Sequence, residues 1–99
     1  MSEKHKCSYE TDRQIRRTEP QLLKIPDFSL IKDGKKIAVE VELTAKSKKR
    51  MCDNIDKYLE MLARNIYVQV FYFCEQHIAD IITHISAEKG THLIRTYPL

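Results

Sequence analysis

A strict alternation of apolar and polar side chains in residues 36–44 (KIAVEVELT) constrains the fold more than any other feature of the chain. A period of two predicts a half-buried β-strand. The preceding segment, residues 22–32 (LLKIPDFSLIK), has an extended pattern, and Pro26 suits an edge or an irregular entry. Between the two runs lies Asp33-Gly34, and Asp-Gly in this position is a strong signal of a β-hairpin.

The rest of the chain alternates helix and strand patterns. A strand–helix–strand unit after a hairpin implies a mixed sheet with helices packed on it, in the order α-β-β-α-β-α-β, so the fold class is α/β. The further elements predicted are a helix over 8–19 ended by Pro20, a helix over 48–64 with Ser47 as its N-cap, a strand over 66–73, a helix over 76–88 stopped by Gly90, and a strand over 91–97.

The length of 99 residues suits one small domain over 1–99, with residues 1–7 expected to be flexible. No apolar run approaches the ~20 residues of a membrane span, and no hydrophobic segment follows the charges at the start. The three cysteines are widely spaced and odd in number, which indicates free thiols in a reducing compartment. We therefore expect a cytoplasmic protein.

Charge is distributed unevenly along the chain. Residues 1–50 hold 13 Lys and Arg against 8 Asp and Glu, whereas residues 51–99 hold 4 against 6. A basic half suits a polyanionic partner such as nucleic acid. A solvated basic surface explains the same pattern, since the sequence pI of about 8.8 falls short of the usual nucleic-acid footprint.

The hairpin brings acidic residues together. If Asp33-Gly34 is a two-residue turn, Phe28 faces Val39 and Asp27 faces Glu40, with Glu42 diagonal to Asp27. Like charges so placed destabilise a sheet unless something compensates them, and Mg²⁺ binds carboxylate, water and phosphate oxygens. The alternative is a solvated strand face with Glu–Lys pairs across strands. Lys46 lies just past the strand end and can reach the same site, where an amine would stabilise charge on a phosphate.

At this point the residues resemble a family. Pro26-Asp27 followed by Glu40 looks like the PD-(D/E)xK nuclease-like superfamily. The longer strings IPDF (25–28) and IAVEVELTAKS (37–47), with Arg50, Ile55, Tyr58 and Tyr72-Phe73, are similar to plasmid and mobile-element proteins of the replication–relaxation and mobilisation type.

The resemblance implies a restriction-endonuclease-like core and a metal-dependent DNA endonuclease or nickase of a mobile genetic element (plasmid, phage or integrative element). It implies Mg²⁺ or Mn²⁺ as cofactor, with Asp27 and Glu40 as ligands. An acid on the first helix often contributes, and Asp12 is favoured over Glu10. Glu42 would assist or orient water, and Lys46 would stabilise the transition state.

One departure matters: Glu42 occupies the position where the superfamily usually has lysine. Lys46 supplies the amine from a displaced position, or else the protein binds without cutting. Two alternatives therefore stay open, a non-catalytic accessory protein that binds DNA or a relaxase, and a protein-interaction or inhibitor domain. Because so small a core leaves little surface beyond its site, a homodimer or a relaxase or replication partner is expected.

Two groups of basic residues are candidates for DNA contact, and a few other residues are candidates for metal binding or catalysis. Lys48, Lys49 and Arg50 begin a helix beside the proposed site, and Arg13, Arg16 and Arg17 lie on the first helix; both groups suit backbone phosphates or an ordinary basic surface. The shared helix face of His77, Asp80 and His84 suggests exposed polar residues rather than a metal site, and Cys52 and Cys74 lack a histidine partner for catalysis. Tyr67, Tyr72 and Phe73 are predicted to be sheet core, because helices should cover both faces of their strand.

Overall fold

The computed structural model describes residues 7–19 and 22–99, and its five strands form one mixed sheet, which confirms the α/β class. The strands lie side by side in chain order. The strands are Cys7–Thr11 (β1), Phe28–Lys32 (β2), Lys35–Glu42 (β3), Gln69–Cys74 (β4) and Ile94–Pro98 (β5); the helices are Asp12–Thr18 (α1), Lys48–Ala63 (α2) and Gln76–Glu88 (α3).

The predicted hairpin and its register are confirmed. Strands β2 and β3 are antiparallel, with Phe28 opposite Val39 and Lys32 opposite Lys35. Asp33 and Gly34 both have positive φ, 53° and 78°, as a two-residue turn with the twist of a hairpin requires. Aspartate tolerates this conformation better than most residues and glycine adopts it freely, so this dipeptide sets the pairing of the two strands.

The helix predicted over 8–19 is wrong in its first half. Residues Cys7–Thr11 form β1, which pairs antiparallel with β2, so the element order begins with an additional strand. Helix α1 starts only at Asp12, because Thr11 caps it and exchanges reciprocal hydrogen bonds with Gln14. The predicted stop at Pro20 lies outside the described residues.

The later elements follow the sequence pattern closely. Helix α3 spans the predicted residues, and the Ser47 side chain accepts a hydrogen bond from Arg50 N at the start of α2. Gly90 has φ 74° just beyond α3, as a helix stop requires. Strands β4 and β5 each begin three residues later than predicted, at Gln69 and Ile94.

Both parallel connections lead toward the same edge of the sheet. Strand β3 pairs in parallel with β4, and β4 with β5. Right-handed crossovers that advance in one direction place their helices on one face, so α2 and α3 pack together on the same side. The end of α1 lies there too, since Glu19 contacts Lys36 at 2.8 Å. The expectation that helices cover both faces of β4 is therefore wrong.

The two faces of the sheet differ in burial. On the helix-covered face, β4 contributes Val70, Tyr72 and Cys74, which are at most 4% exposed and join the core formed by α2 and α3. On the other face, Phe71 and Phe73 remain half-buried. We call this second side the open face; its main apolar side chains are Tyr9, Phe28, Val39, Phe71, Phe73 and Tyr97.

No helix among the described residues is both long and apolar enough to cross a membrane. Cys52 and Cys74 are free thiols, as expected, and the side chain of Cys7 lies outside the described part of the chain.

Candidate functional site

The acidic residues of the hairpin meet at one end of the helix-covered face. Glu40 and Glu42 project from β3 beneath α2 and are only 5% and 8% exposed. Carboxylates are rarely so buried unless they are paired, because removing charge from water is costly. We call Asp27, Glu40 and Glu42 the acidic cluster.

Asp27 lies where β2 has not yet begun, one residue before Phe28. Its Oδ2 accepts a hydrogen bond from Val41 N at 2.7 Å, and its side chain therefore takes the place of a β2 carbonyl at this end of the ladder. The residue is exposed. The strand end thus holds the carboxylate in a fixed place while leaving it accessible.

Glu40 is held by two side chains. The Tyr58 hydroxyl of α2 donates a hydrogen bond to its Oε2, and Lys24 Nζ lies 3.1 Å from the same oxygen. Burial raises the pKa of Glu40 and the nearby Asp27 charge raises it further, whereas Tyr58 and Lys24 oppose the shift. The net effect is a raised pKa, so ionised Glu40 would gain from a further cation.

Two tyrosines line the buried side of the cluster. Burial raises the pKa of Tyr58 and of Tyr72 well above the ordinary value, and the Glu40 charge adds to both shifts. Both rings therefore keep their hydroxyl protons, and Tyr58 remains a donor to Glu40. The ring of Tyr58 also lies 5.9 Å from Lys24 Nζ, within the range of a cation–π contact.

Glu42 pairs with Lys46. Lys46 Nζ donates to Glu42 Oε2 across four residues of chain that leave β3 and turn toward α2. The two side chains line a small cavity of about 10 Å³ together with Asn54 and Tyr72, which is space for about one water molecule. Lys46 thus lies against the acidic cluster.

The cluster fits a weakly coordinated divalent ion rather than a closed metal cage. Among residues 7–19 and 22–99, no three His, Cys, Asp or Glu side chains are placed to hold a metal ion together. Mg²⁺, however, commonly binds through one or two carboxylates and completes its shell with waters and substrate phosphates. Asp27 and Glu40, which interact electrostatically, are the two carboxylates that such an ion would use.

Asp12 and the start of α2 lie near this end of the sheet, whereas α1 runs from Asp12 toward Glu19, which contacts Lys36. Asp12 N donates to the Asp27 carbonyl at 3.0 Å, so α1 begins beside the cluster, although the Asp12 carboxylate does not join a three-ligand group. The metal role of Asp12 stays a prediction. The six cations proposed to contact DNA are all exposed, on the first turn of α2 or along α1; they are Lys48, Lys49, Arg50, Arg13, Arg16 and Arg17.

Sequence reasoning missed two of the residues that hold the cluster. Tyr58 enters the sequence-based prediction only as one of the residues that carry the resemblance, although a buried tyrosine needs a partner for its hydroxyl and the facing strand offers carboxylates. Lys24 gave no signal, since it lies in an irregular segment where no period shows which way a side chain points.

The histidines of α3 and the aromatic residues in and before β4 lie where exposed polar groups and sheet residues are expected. His77, Asp80 and His84 are exposed, and each contacts a neighbour on or next to α3. Tyr67 and Tyr72 are core, as predicted, whereas Phe73 lies on the open face.

Comparison of the chain with protein-family models, with curated proteins and with solved structures finds no match in any of the three.

Proposed function

We propose that this protein is a metal-dependent DNA endonuclease or nickase that hydrolyses phosphodiester bonds. The observation that carries the proposal is the coupling of an accessible carboxylate, Asp27, with a buried one, Glu40, whose pKa is raised. A protein gains no stability from this arrangement, because two like charges repel and one of them is desolvated. A cation bound between them would relieve both costs.

In this proposal each residue has a defined part. Asp27 and Glu40 would hold Mg²⁺ or Mn²⁺, which when bound activates water and neutralises charge on the phosphate. Tyr58 orients Glu40 by donating to Oε2. Glu42 positions Lys46, whose ammonium group would stabilise negative charge on the phosphate.

Two finer assignments rest on the resemblance to the PD-(D/E)xK superfamily: a restriction-endonuclease-like core and a role in a mobile genetic element. The cytoplasmic location rests on the free cysteines, and the homodimer or the relaxase or replication partner rests on the small size of the core. Lys48, Lys49 and Arg50, with the arginines of α1, would contribute salt-sensitive contacts to DNA phosphates.

A second function is favoured by one specific observation. Lys24 pairs with Glu40, and Lys46 pairs with Glu42. A cluster neutralised by its own lysines suits a non-catalytic accessory protein that binds DNA or a relaxase. The inhibitor alternative has no such support in the structure.

One experiment decides between catalysis and binding. Supercoiled and branched DNA are incubated with the protein in Mg²⁺, in Mn²⁺ and in chelator, and cleavage is followed on gels. We expect metal-dependent cleavage that falls at least about 100-fold in Asp27→Asn, since even outer-shell changes at metal sites cost about 10- to 100-fold.

Asp33→Asn is the matched control. It makes the same substitution at the turn end of the same hairpin, where asparagine also tolerates a positive φ. Its cleavage should equal that of the unaltered protein. Absence of cleavage in every metal, with no rise in melting temperature on adding Mn²⁺, would refute the enzyme; DNA binding that persisted would then support the accessory role.

A further inference from the structure

The open face of the sheet is both apolar and basic. Its strand residues include exposed Lys32, Lys35 and Arg95, and none of the described strand residues on this face is acidic. On the helix-covered face the acids Glu10, Glu40 and Glu42 all occur. The exposed cations of the strands therefore lie on the open face, whereas the carboxylates lie on the helix-covered face, where Lys36 pairs with Glu10.

Aromatic rings are spread across the open face. At one edge Tyr9 is 66% exposed; it lies opposite Leu30 and diagonal to Phe28. At the other, Phe73 and Tyr97 stack with their ring centroids 5.4 Å apart, and Phe71 meets Tyr97 edge-on. Val39 lies between Phe28 and Phe71 and is itself buried beneath its neighbours. The face therefore presents flat apolar groups toward both of its edges.

Charge and shape together select the occupant of this face. A second copy of the chain would bring its cations against like cations, and the described strand residues of this face offer them no carboxylate. A partner that carries regular negative charge and presents flat apolar rings satisfies both features. Single-stranded nucleic acid has both, whereas a duplex hides its base faces in the stack.

The open face also reaches the acidic cluster. A depression of about 300 Å³ with an almost wholly apolar lining is formed by Tyr9, Thr11, Phe28 and Leu30, and Asp27 borders it. Asp27 thus belongs to both regions. A base seated on Tyr9 and Phe28 would lie next to the residue proposed to bind metal.

We propose that the open face binds single-stranded DNA, with bases stacked on Tyr9 and its neighbouring aromatic rings and with phosphates near Arg95, Lys32 and Lys35. This inference says that the proposed nuclease site acts on single-stranded DNA, and in that respect it rests on the proposed function. The binding itself follows from the chemistry of the face and needs no metal.

Binding is tested in chelator, so that cleavage plays no part. The fluorescence anisotropy of a short labelled oligothymidylate is measured against the unaltered protein, Tyr9→Ser and Tyr9→Phe, with a duplex of equal length for comparison. Loss of one stacked base should weaken binding about 5- to 150-fold in Tyr9→Ser, and Tyr9→Phe should keep the affinity. Arg95→Gln should reduce the slope of log affinity against log salt by about 0.7.

Stacking has a direct spectroscopic signature as well. The chain has 0 tryptophans, so Tyr9→Trp introduces a single reporter on the open face. Its emission should be quenched by the oligothymidylate, whereas that of His84→Trp, on the exposed side of α3, should not change. This pair of variants keeps the test valid even if Tyr9→Ser folds poorly.

Three results would overturn the proposal. The first is that the oligothymidylate leaves the emission of Tyr9→Trp unchanged, and the second is that Tyr9→Ser binds the oligothymidylate as tightly as the unaltered protein does. The third is that the unaltered protein is a dimer, and that Tyr9→Ser dissociates the dimer without any loss of DNA binding. The last result would assign the face to a second copy. Because the assay excludes metal, failure here leaves metal-dependent cleavage untouched, and Asp27→Asn that binds but does not cut would support both proposals.

Discussion

The two faces of the sheet differ from what stability alone would favour. The face covered by helices contains carboxylates, and the uncovered face contains aromatic rings. The helix-covered face buries Glu40 and Glu42 to 5% and 8% exposure, whereas the open face leaves Tyr9 66% exposed. Burying charge and exposing aromatic surface both reduce stability. The buried carboxylates lie on one face and the exposed aromatic rings on the other, and Asp27 borders the apolar depression of the open face.

This contrast separates the residues that hold the fold from those that have another purpose. The core lies between the sheet and helices α2 and α3, and its members, such as Ile55 and Ile82, are 1% exposed. The aromatic residues of the open face lie outside that core. Substitutions on the two faces should therefore change different properties of the protein.

The largest expected effect comes from making the same truncation on each face. Ile55→Ala on α2 should reduce the free energy of unfolding by about 2–5 kcal/mol, because it leaves a cavity in the core. Ile37→Ala on the half-buried open face should cost less than half as much. Urea unfolding of both variants measures the difference, and equal losses would mean that the open face is covered in solution.

Glu40→Gln should stabilise the protein. Burial raises the pKa of Glu40 above its ordinary value, so the folded state holds this proton more tightly than the unfolded state. The contribution of Glu40 to stability is therefore greatest below pH 4.5 and is lost as the pH rises through the raised pKa. At neutral pH the neutral amide avoids this cost, and we expect a gain of about 0.5–2 kcal/mol.

Chemical unfolding between pH 4 and pH 8 checks this expectation. The difference between the unaltered protein and Glu40→Gln should grow as the pH rises, and Mn²⁺ should raise the melting temperature of the unaltered protein alone. Ser29→Ala, another buried polar position on the same face, provides a control without a carboxylate. A Glu40→Gln variant less stable than the unaltered protein at neutral pH would show that Glu40 serves the fold.

Much of the hairpin could be predicted from the sequence because its determinants are local. The turn residues Asp33-Gly34 and the period of two in β3 set the register. The register ends with Phe28 opposite Val39 and leaves Asp27 at the end of the ladder, where it accepts a hydrogen bond from Val41 N. Strand β1 was missed because a five-residue edge strand followed at once by a capped helix resembles one weak helix. Its partner, β2, lies more than ten residues further along the chain.

The open face could not be predicted for a different reason. The apolar run in β4 shows that both faces carry hydrophobic residues, but the side on which a crossover packs depends on the order of strands in the sheet. Here β3, β4 and β5 advance toward one edge, and α2 and α3 share one face. The same run in a sheet that reversed direction would have been covered on both sides.

The smallest expected effect concerns Lys24, which lies against Glu40 at the boundary between the core and solvent. Its side chain is 22% exposed, and its charge lowers the pKa of Glu40, so Lys24→Gln should raise that pKa further. Stability at neutral pH should change by less than about 1 kcal/mol, because a partly exposed ion pair contributes little.

The variant should instead change how protons compete with metal. With Lys24 removed, Glu40 loses its proton only at higher pH, so the pH at which Mn²⁺ first raises the melting temperature should increase. Lys57→Gln, which removes an exposed cation from α2, should leave that pH where it was. If Mn²⁺ first raised the melting temperature at the same pH in both variants, the charge on Lys24 would have no effect on Glu40. The raised pKa of Glu40 would then be due to burial and Asp27 alone.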